Sequence, residues 1–450
     1  MADYLGSKNL VQTHGENAIR IADKTEPMIP FYLVVTYLFL EFARPQSLVP
    51  VLQYLHLPAI VVTLIAVSLL KMGKLNIKDK QTILYILLLI EMILHGPIAL
   101  NNYWAFKVFY AMGVTFIAYL GIVNLVDNDT KYDTLIKYWI ITFIFLAIYG
   151  YFNANLHLPK YMRYGIGVGG FVGDANDYCM ALNTIMPFAV FGIFSAKNTF
   201  KKIYFVLLVC LFLFIIILTE SRGGFIGLVS VAIYCWLRSN KKVVLGVLMG
   251  LLAIFALAVA PGSYWDEIQS IKTENTEANP YGTGAQRVYS WKLGWKMFLE
   301  NPVIGVGQGN YAWNVGETEE EAGVNWKTRS IRGRAAHSLY FTLLPELGIV
   351  GGTLYLLMIF ISFKDLKNIK DTLIKRKTLV SDEYYKKVYY LALALEASLI
   401  GFLVSSIFIS TLYYPNFWLL CAFILALNKI VSSNSNNNCI LEQKTAKAYL

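Results

Sequence analysis

Residues 243–260 read VVLGVLMGLLAIFALAVA, eighteen positions without a charge or a side-chain amide. As a helix this run spans about 27 Å, close to the ~30 Å hydrocarbon core of a bilayer. Immediately after it the chain turns polar from 261 to 337, then becomes apolar again over 338–363. Working outward, comparable apolar runs lie near 28–43, 48–70, 82–98, 104–124, 135–152, 178–196, 202–219, 223–238, 388–411 and 415–431. Together they predict an all-α integral membrane protein with about twelve spans and one large loop between spans 9 and 10.

Composition agrees. The 450 residues are 56% hydrophobic and 15% charged, whereas soluble domains carry about 25% charged residues. The formal charge of +10 does not point to nucleic acid, because the basic residues sit mostly in short loops between apolar runs. Cys179, Cys210, Cys235 and Cys421 fall in apolar segments and Cys439 in the tail, so free thiols are expected rather than a disulfide framework. The first 27 residues are polar, which gives no cleavable signal peptide. No internal repeat of the transporter kind is visible.

Lys and Arg are unevenly shared between the two sets of short loops. With the N-terminus inside, nineteen border the inner loops, and four (Arg44, Lys160, Arg163 and Arg222) border the outer ones. That bias predicts both termini in the cytoplasm and the long loop outside. The expected organisation is therefore a cytoplasmic segment 1–27, helices over 28–260, an external lobe 261–337, helices over 338–431 and a cytoplasmic tail 432–450. The low-complexity run at 432–438 predicts a loose end.

Trp265, Trp291, Trp295, Trp313 and Trp326 predict that the long loop is folded rather than a tether. Within it, Val288, Trp291, Trp295, Phe298 and Leu299 recur at helical spacing. They read as an amphipathic helix on the outer leaflet. Arg287 sits one turn before Trp291, beside that stripe, where it would meet the head of a lipid-linked anion. The acidic run Glu317–Glu321 reads as a solvated face. Lys327, Arg329, Arg332 and Arg334 follow, either as another solvated face or as a basic lip for a phosphorylated ligand.

Thr219-Glu220-Ser221-Arg222-Gly223-Gly224 interrupts two apolar runs on the outer side. It reads as a tight turn with Arg222 snorkelling to the interface, or as an anion clamp. The guanidinium's planar fork suits phosphate. His337 opens the tenth span. A lone interfacial histidine is commonly structural, but imidazole is the side chain suited to proton transfer near neutrality. Asp174-Ala175-Asn176-Asp177 reads as a turn and helix cap. Glu41, Glu91, His95, Lys107 and Glu396 also lie within apolar runs. Glu91 and His95, at i,i+4, are expected to satisfy each other. Asp127-Asn128-Asp129 resembles a metal-binding DxD but falls on the inner side, so no metal site is expected. No P-loop or dinucleotide fingerprint occurs, and no cofactor is expected.

Four of these stretches together resemble the bacterial O-antigen ligase superfamily. They are Ser221-Arg222-Gly223-Gly224, Arg287 followed by Trp291, NPVIGVGQG at 301–309, and Ala336-His337-Ser338 followed by Glu346-Leu347-Gly348-Ile349-Val350-Gly351. The likeness spans roughly 173–361; FLEFARPQ at 39–46 matches a ligase-like subgroup more weakly. The resemblance implies a GT-C-like, metal-independent glycosyltransferase with a periplasmic loop in the bacterial inner membrane. Its donor would be a glycan on undecaprenyl pyrophosphate, and its acceptor a hydroxyl of lipid A–core, a protein or another glycan repeat. It also implies that Arg222 and Arg287 bind the pyrophosphate and that His337 assists the acceptor hydroxyl. Residues 316–334 match no part of the pattern, which leaves the acceptor open. An O-antigen polymerase, a protein O-oligosaccharyltransferase and, from another class, a flippase for polyprenyl-linked glycans are the rival expectations.

Overall fold

The computed structural model describes residues 27–157, 172–239, 241–259, 283–321, 331–378 and 380–448. Among these the chain is helical, with no strand. In chain order the main helices are α1 (Ile29–Phe42), α2 (Leu57–Lys71), α3 (Lys80–His95), α4 (Asn102–Leu125), α5 (Asp129–His157), α6 (Ala175–Ser195) and α7 (Thr199–Leu218). Then come α8 (Arg222–Arg238), α9 (Lys242–Val259), α10 (Thr283–Glu300), α11 (Tyr311–Glu321), α12 (Tyr340–Lys375), α13 (Asp382–Ser405) and α14 (Pro415–Ala448). Eight segments of the described residues are long and apolar enough to cross a membrane, and α1, α2 and the first part of α9 are shorter apolar helices. The protein is a multi-pass helical membrane protein.

The described part of each apolar run is largely helical, but the second is not a single helix. Instead of one helix over 48–70, one-turn helices at Pro45–Leu48 and Pro50–Gln53 precede α2. Pro45, Pro50 and Pro58 lack the N–H that a continuing helix needs, and each begins a new helix at its first turn. At the other end, α14 runs on through 432–438 to Ala448, where the sequence alone predicts a loose tail.

α6 is the most enclosed span: 83% of its apolar window is buried, against 39% for α7. It packs against α13, α7 and α8. Small residues permit the approach. A Cβ on Gly224 would lie 2.0 Å from Cys179 Sγ, and one on Gly227 would lie 2.0 Å from Ser405 Oγ. Asn183 Nδ2 donates to the Gly224 carbonyl across this seam at 2.8 Å, so the buried amide binds α6 to α8.

Charges gather at one end of the bundle. Lys74 and Lys131 both pair with Asp127 (2.7 and 2.8 Å), and Lys429 with Asp79 (3.1 Å). Lys387 pairs with Asp133 and Lys197 with Glu383. Asp127 is thus engaged by two lysines. Burial alone would raise its pKa, but those lysines outweigh it and hold the carboxyl below its usual range. α6 ends beside this cluster and begins at the opposite end, where α10, α11 and the start of α12 lie.

Of the loop, the described parts form α10 and α11 around a small core of Leu293, Met297, Tyr311, Val315, Ile331 and Ala336. Residues 260–282 and 322–330, with Trp265, Trp326, Lys327 and Arg329, lie outside the described residues. The acidic run is not wholly solvated. Glu319 is buried and accepts from Tyr289 Oη at 3.2 Å. Burial, with Glu319 alongside, pushes the Tyr289 phenol up to about 12.

Candidate functional site

The NPVIGVGQG segment positions the lobe. Between α10 and α11 the chain turns at Gly305, Gly307 and Gly309, whose φ values are +70°, +98° and +68°. It docks on a break in α12, where Gly348 takes φ +58° and ψ −159°. Four backbone bonds cross the seam: Val306 N–H to Pro345 O (2.8 Å), Gly307 N–H to Glu346 O (2.9 Å), Ile349 N–H to Pro302 O (2.8 Å) and Val350 N–H to Val303 O (3.1 Å). A Cβ on Gly348 would lie 2.3 Å from the Val303 carbonyl oxygen. Both the positive φ and the close approach require glycine there.

Side chains complete the dock. Glu346 is 3% exposed. It accepts from Tyr311 N–H (2.9 Å), Gly309 N–H (2.7 Å) and Tyr413 Oη (2.6 Å). Gln308 Nε2 donates to the Met92 carbonyl at 2.7 Å, and Asn310 Oδ1 accepts from Asn101 N–H at 2.7 Å. Glu346 is therefore a structural clasp, and Gln308 and Asn310 tie the lobe to the α3–α4 turn. In the sequence, the clustering of Gly, Gln and Asn in 305–310 marks only a turn; its partners lie some 200 residues away.

Glu91 and His95 do not satisfy each other. Both Glu91 carboxylate oxygens and His95 Nδ1 are buried without a hydrogen-bond partner. Both side chains turn to the docking seam. Glu91 Oε2 lies 3.3 Å from a Cβ placed on Gly351, and His95 Nε2 lies 3.7 Å from one on Gly307.

Above this seam, Gln286, Arg287, Ser290, Ile331, Arg334, Ala335 and His337 line a cavity of about 130 Å³. The first three lie on α10; the others belong to the irregular segment before α12. Arg334 Nη1 donates to Gln286 Oε1 at 3.1 Å. Tyr311 Oη donates to the Ser290 carbonyl at 2.7 Å, so the clasp residue's neighbour also fixes the wall of the cavity. Trp291 Nε1 donates to the Ala336 carbonyl at 3.0 Å, and its ring stacks on Phe341 at 5.1 Å.

His337 has φ +50°, a left-handed conformation that is uncommon for a non-glycine residue and costs on the order of 1–3 kcal/mol. It is held there on both sides. Ala336 is gripped by Trp291, and Leu339 N–H donates to Ser406 O at 2.8 Å. The imidazole is reachable from the cavity, yet the surrounding protein disfavours its charged form. Burial first, then the Arg287 and Arg334 guanidiniums, lower its pKa below 6.5, with Asp174 opposing them. The result is a solvent-accessible imidazole, in one cavity with two guanidiniums, whose charged form is disfavoured.

Arg222 does not line that cavity. It is the first residue of α8, after a turn in which Glu220 takes φ +48°. Ser221 Oγ caps α8 by accepting from Gly224 N–H (3.0 Å) and donates to Asn176 Oδ1 (2.7 Å). Asn176 N–H and Nδ2 donate to Asp174 Oδ1 (2.8 and 2.9 Å), and Asp174 caps α6 as the sequence predicts. A Cβ on Gly223 would lie 3.0 Å from Phe408 Cβ, and the Phe408 ring lies 6.3 Å from that of Trp291. The start of α8, which carries Arg222, thus packs against Phe408 at the same end of the bundle. Arg332 lies elsewhere: its Cγ is 2.8 Å from a Cβ placed on Gly316, so it packs over α11. Of the five candidate residues, Arg287, Arg334 and His337 share one cavity, and Arg222 and Arg332 do not line it.

A second, apolar recess of about 660 Å³ lies on the other face of α10, lined by Trp291, Trp295, Phe341 and Leu344 among others. One helix therefore offers a cationic face and an apolar face at the same depth, as an amphiphile would require. The described residues thus form a multi-pass helical protein in which α10 borders both a polar cavity with two arginines and an apolar recess. Residues 205–356 match the family model described as O-antigen ligase. No curated protein matches the chain.

Proposed function

We propose that this protein is a glycosyltransferase that moves a glycan from undecaprenyl pyrophosphate to an acceptor hydroxyl, that of lipid A–core, at the periplasmic face of the bacterial inner membrane. The observation that carries the reading is that His337 lines one cavity with Arg287 and Arg334, where burial and the two guanidiniums disfavour its charged form. A proton acceptor and anion-binding groups are then held together without the histidine being charged. In this reading the chain crosses the membrane twelve times, with both termini cytoplasmic and the lobe periplasmic. The lysine-rich ion pairs at the end opposite the cavity support that orientation.

The reaction follows from those side chains. The acceptor oxygen attacks the anomeric carbon as the bond from that carbon to the pyrophosphate oxygen breaks. The bonding pair leaves with the pyrophosphate, and the hydroxyl proton passes to His337. Charge grows on the leaving group, so the Arg287 and Arg222 guanidiniums stabilise the transition state more than the bound donor. Arg334 adds to the field and keeps the imidazole unprotonated. General-base assistance of this kind contributes about 10²–10⁴-fold. Displacement from the opposite face inverts the anomeric centre. The donor is already activated, so the step requires no nucleotide.

The test is transfer by the full-length protein in proteoliposomes, with undecaprenyl-pyrophosphate-linked glycan and lipid A–core. Release of undecaprenyl pyrophosphate together with glycosylated lipid A–core supports the reading. Product that stays on undecaprenyl pyrophosphate would make it a polymerase, and glycan on protein hydroxyls a protein glycosyltransferase. Translocation without any glycosidic product would overturn it in favour of a flippase.

A further inference from the structure

Trp291 has two attachments. Its ring stacks on Phe341 with the planes 5° apart and lies near Phe408, which joins α10 to α12 and to the turn after α13. Its indole N–H is spent on the Ala336 carbonyl, the peptide immediately before His337. Ala336 itself is fully buried, so this carbonyl sits away from water and the bond is worth more than a surface one. His337 occupies a left-handed conformation that persists only where its surroundings over-determine it. Nothing in the amphipathic pattern of α10 requires a tryptophan here; phenylalanine would fill the same apolar stripe.

We infer that Trp291 is a positioning residue: its indole N–H holds the Ala336 carbonyl so that the His337 imidazole stays in the cavity with the arginines. This rests on the reading of His337 as proton acceptor given above. The groups that face His337 are Arg287 from α10, Arg334 from its own segment and Asp174 from the start of α6. The two guanidiniums favour the neutral ring and the carboxylate opposes them. If the Ala336 peptide is released, His337 can relax to a negative φ, and its ring leaves the cavity. The imidazole then titrates more like a solvated one, and its distance from the acceptor hydroxyl grows.

The test is Trp291→Phe, which keeps an aromatic ring over Phe341 and removes only the donor. The control is Trp313→Phe, which makes the same change at an exposed tryptophan of α11 that lines neither the cavity nor the apolar recess. The full-length protein is assayed for undecaprenyl pyrophosphate release in proteoliposomes between pH 5 and 8. Its imidazoles are titrated by NMR, with the His337 signal assigned by its loss in His337→Gln. The expected result for Trp291→Phe is a fall in kcat of about tenfold with donor KM within twofold of wild type. The acid limb of the rate profile and the His337 titration should both move to higher pH. Trp313→Phe should change neither. A Trp291→Phe protein with wild-type kcat and an unmoved His337 titration would overturn the inference. The NMR arm decides this even if the variant is too unstable for kinetics. If wild-type transfer shows no limb that His337→Gln abolishes, the reading of His337 as base fails instead, which is a separate outcome.

Discussion

Glu346 Oε1 accepts the backbone N–H of Tyr311 at 2.9 Å, across 35 residues of chain. Tyr311 in turn donates its phenol to the Ser290 carbonyl on the wall of the cationic cavity. A buried carboxylate in α12 therefore fixes the register of the helix that carries Arg287.

Glu346→Ala would leave two buried amides and the Tyr413 phenol without their acceptor. Each such group costs about 1–3 kcal/mol. The expected outcome is a large drop in the thermal midpoint of the detergent-solubilised protein, with early proteolysis in the lobe. Glu346→Gln retains one acceptor oxygen and should be milder. Equal, unchanged melting of both variants would remove the clasp from the account.

Gly348→Ala should be as damaging for a backbone reason. The residue must hold φ +58°, and the new methyl carbon would sit 2.3 Å from the Val303 carbonyl oxygen. That backbone conformation, which essentially only glycine adopts, alone costs about 1–3 kcal/mol, and the clash adds to it. Gly113→Ala, where nothing lies within 4 Å of the added carbon, is the matched control and should melt like wild type. Thermal scans of the two variants check this.

Arg287→Ala should lower kcat for lipid pyrophosphate release by about 10²–10³-fold, the usual loss when one group that stabilises developing anionic charge is removed. Membrane insertion should be unaffected. Arg287→Lys should recover only part of the rate, because an ammonium lacks the two-pronged geometry. Arg332→Ala should reduce the rate far less, since Arg332 packs over α11 away from the cavity. Steady-state release assays on the three variants measure this, and comparable losses at Arg287 and Arg332 would contradict the geometry.

The pH dependence has a definite sign. A base must be neutral to accept a proton, and the His337 pKa lies below 6.5. Activity should hold on its plateau to below that value and fall only on further acidification. Arg334→Gln removes one of the charges that lower this pKa, so the acid limb should move up toward 6.5. A limb that stays in place, or moves down, in the kcat/KM profile would show that Arg334 does not act on His337.

The sequence by itself determined the class of protein. Apolar runs near bilayer length and a shortage of charge leave few alternatives to a helical membrane protein, because each helix satisfies its own backbone bonds. The cap at Asp174, the turn before Arg222 and the amphipathic helix with Arg287 were legible for the same reason: all are patterns within a few residues. Prolines at 45, 50 and 58 divided the second apolar run, and hydropathy averaging conceals such breaks. What only the tertiary structure decided was which cations meet. Arg332 and Arg334 are two residues apart, yet one packs over α11 and the other faces His337. Glu91 and His95 are spaced to pair on a helix, yet each turns to a glycine of the docking seam. Direction of this kind is set by contacts between segments far apart in the chain, such as Glu91 with Gly351 and His95 with Gly307, and no local periodicity encodes it.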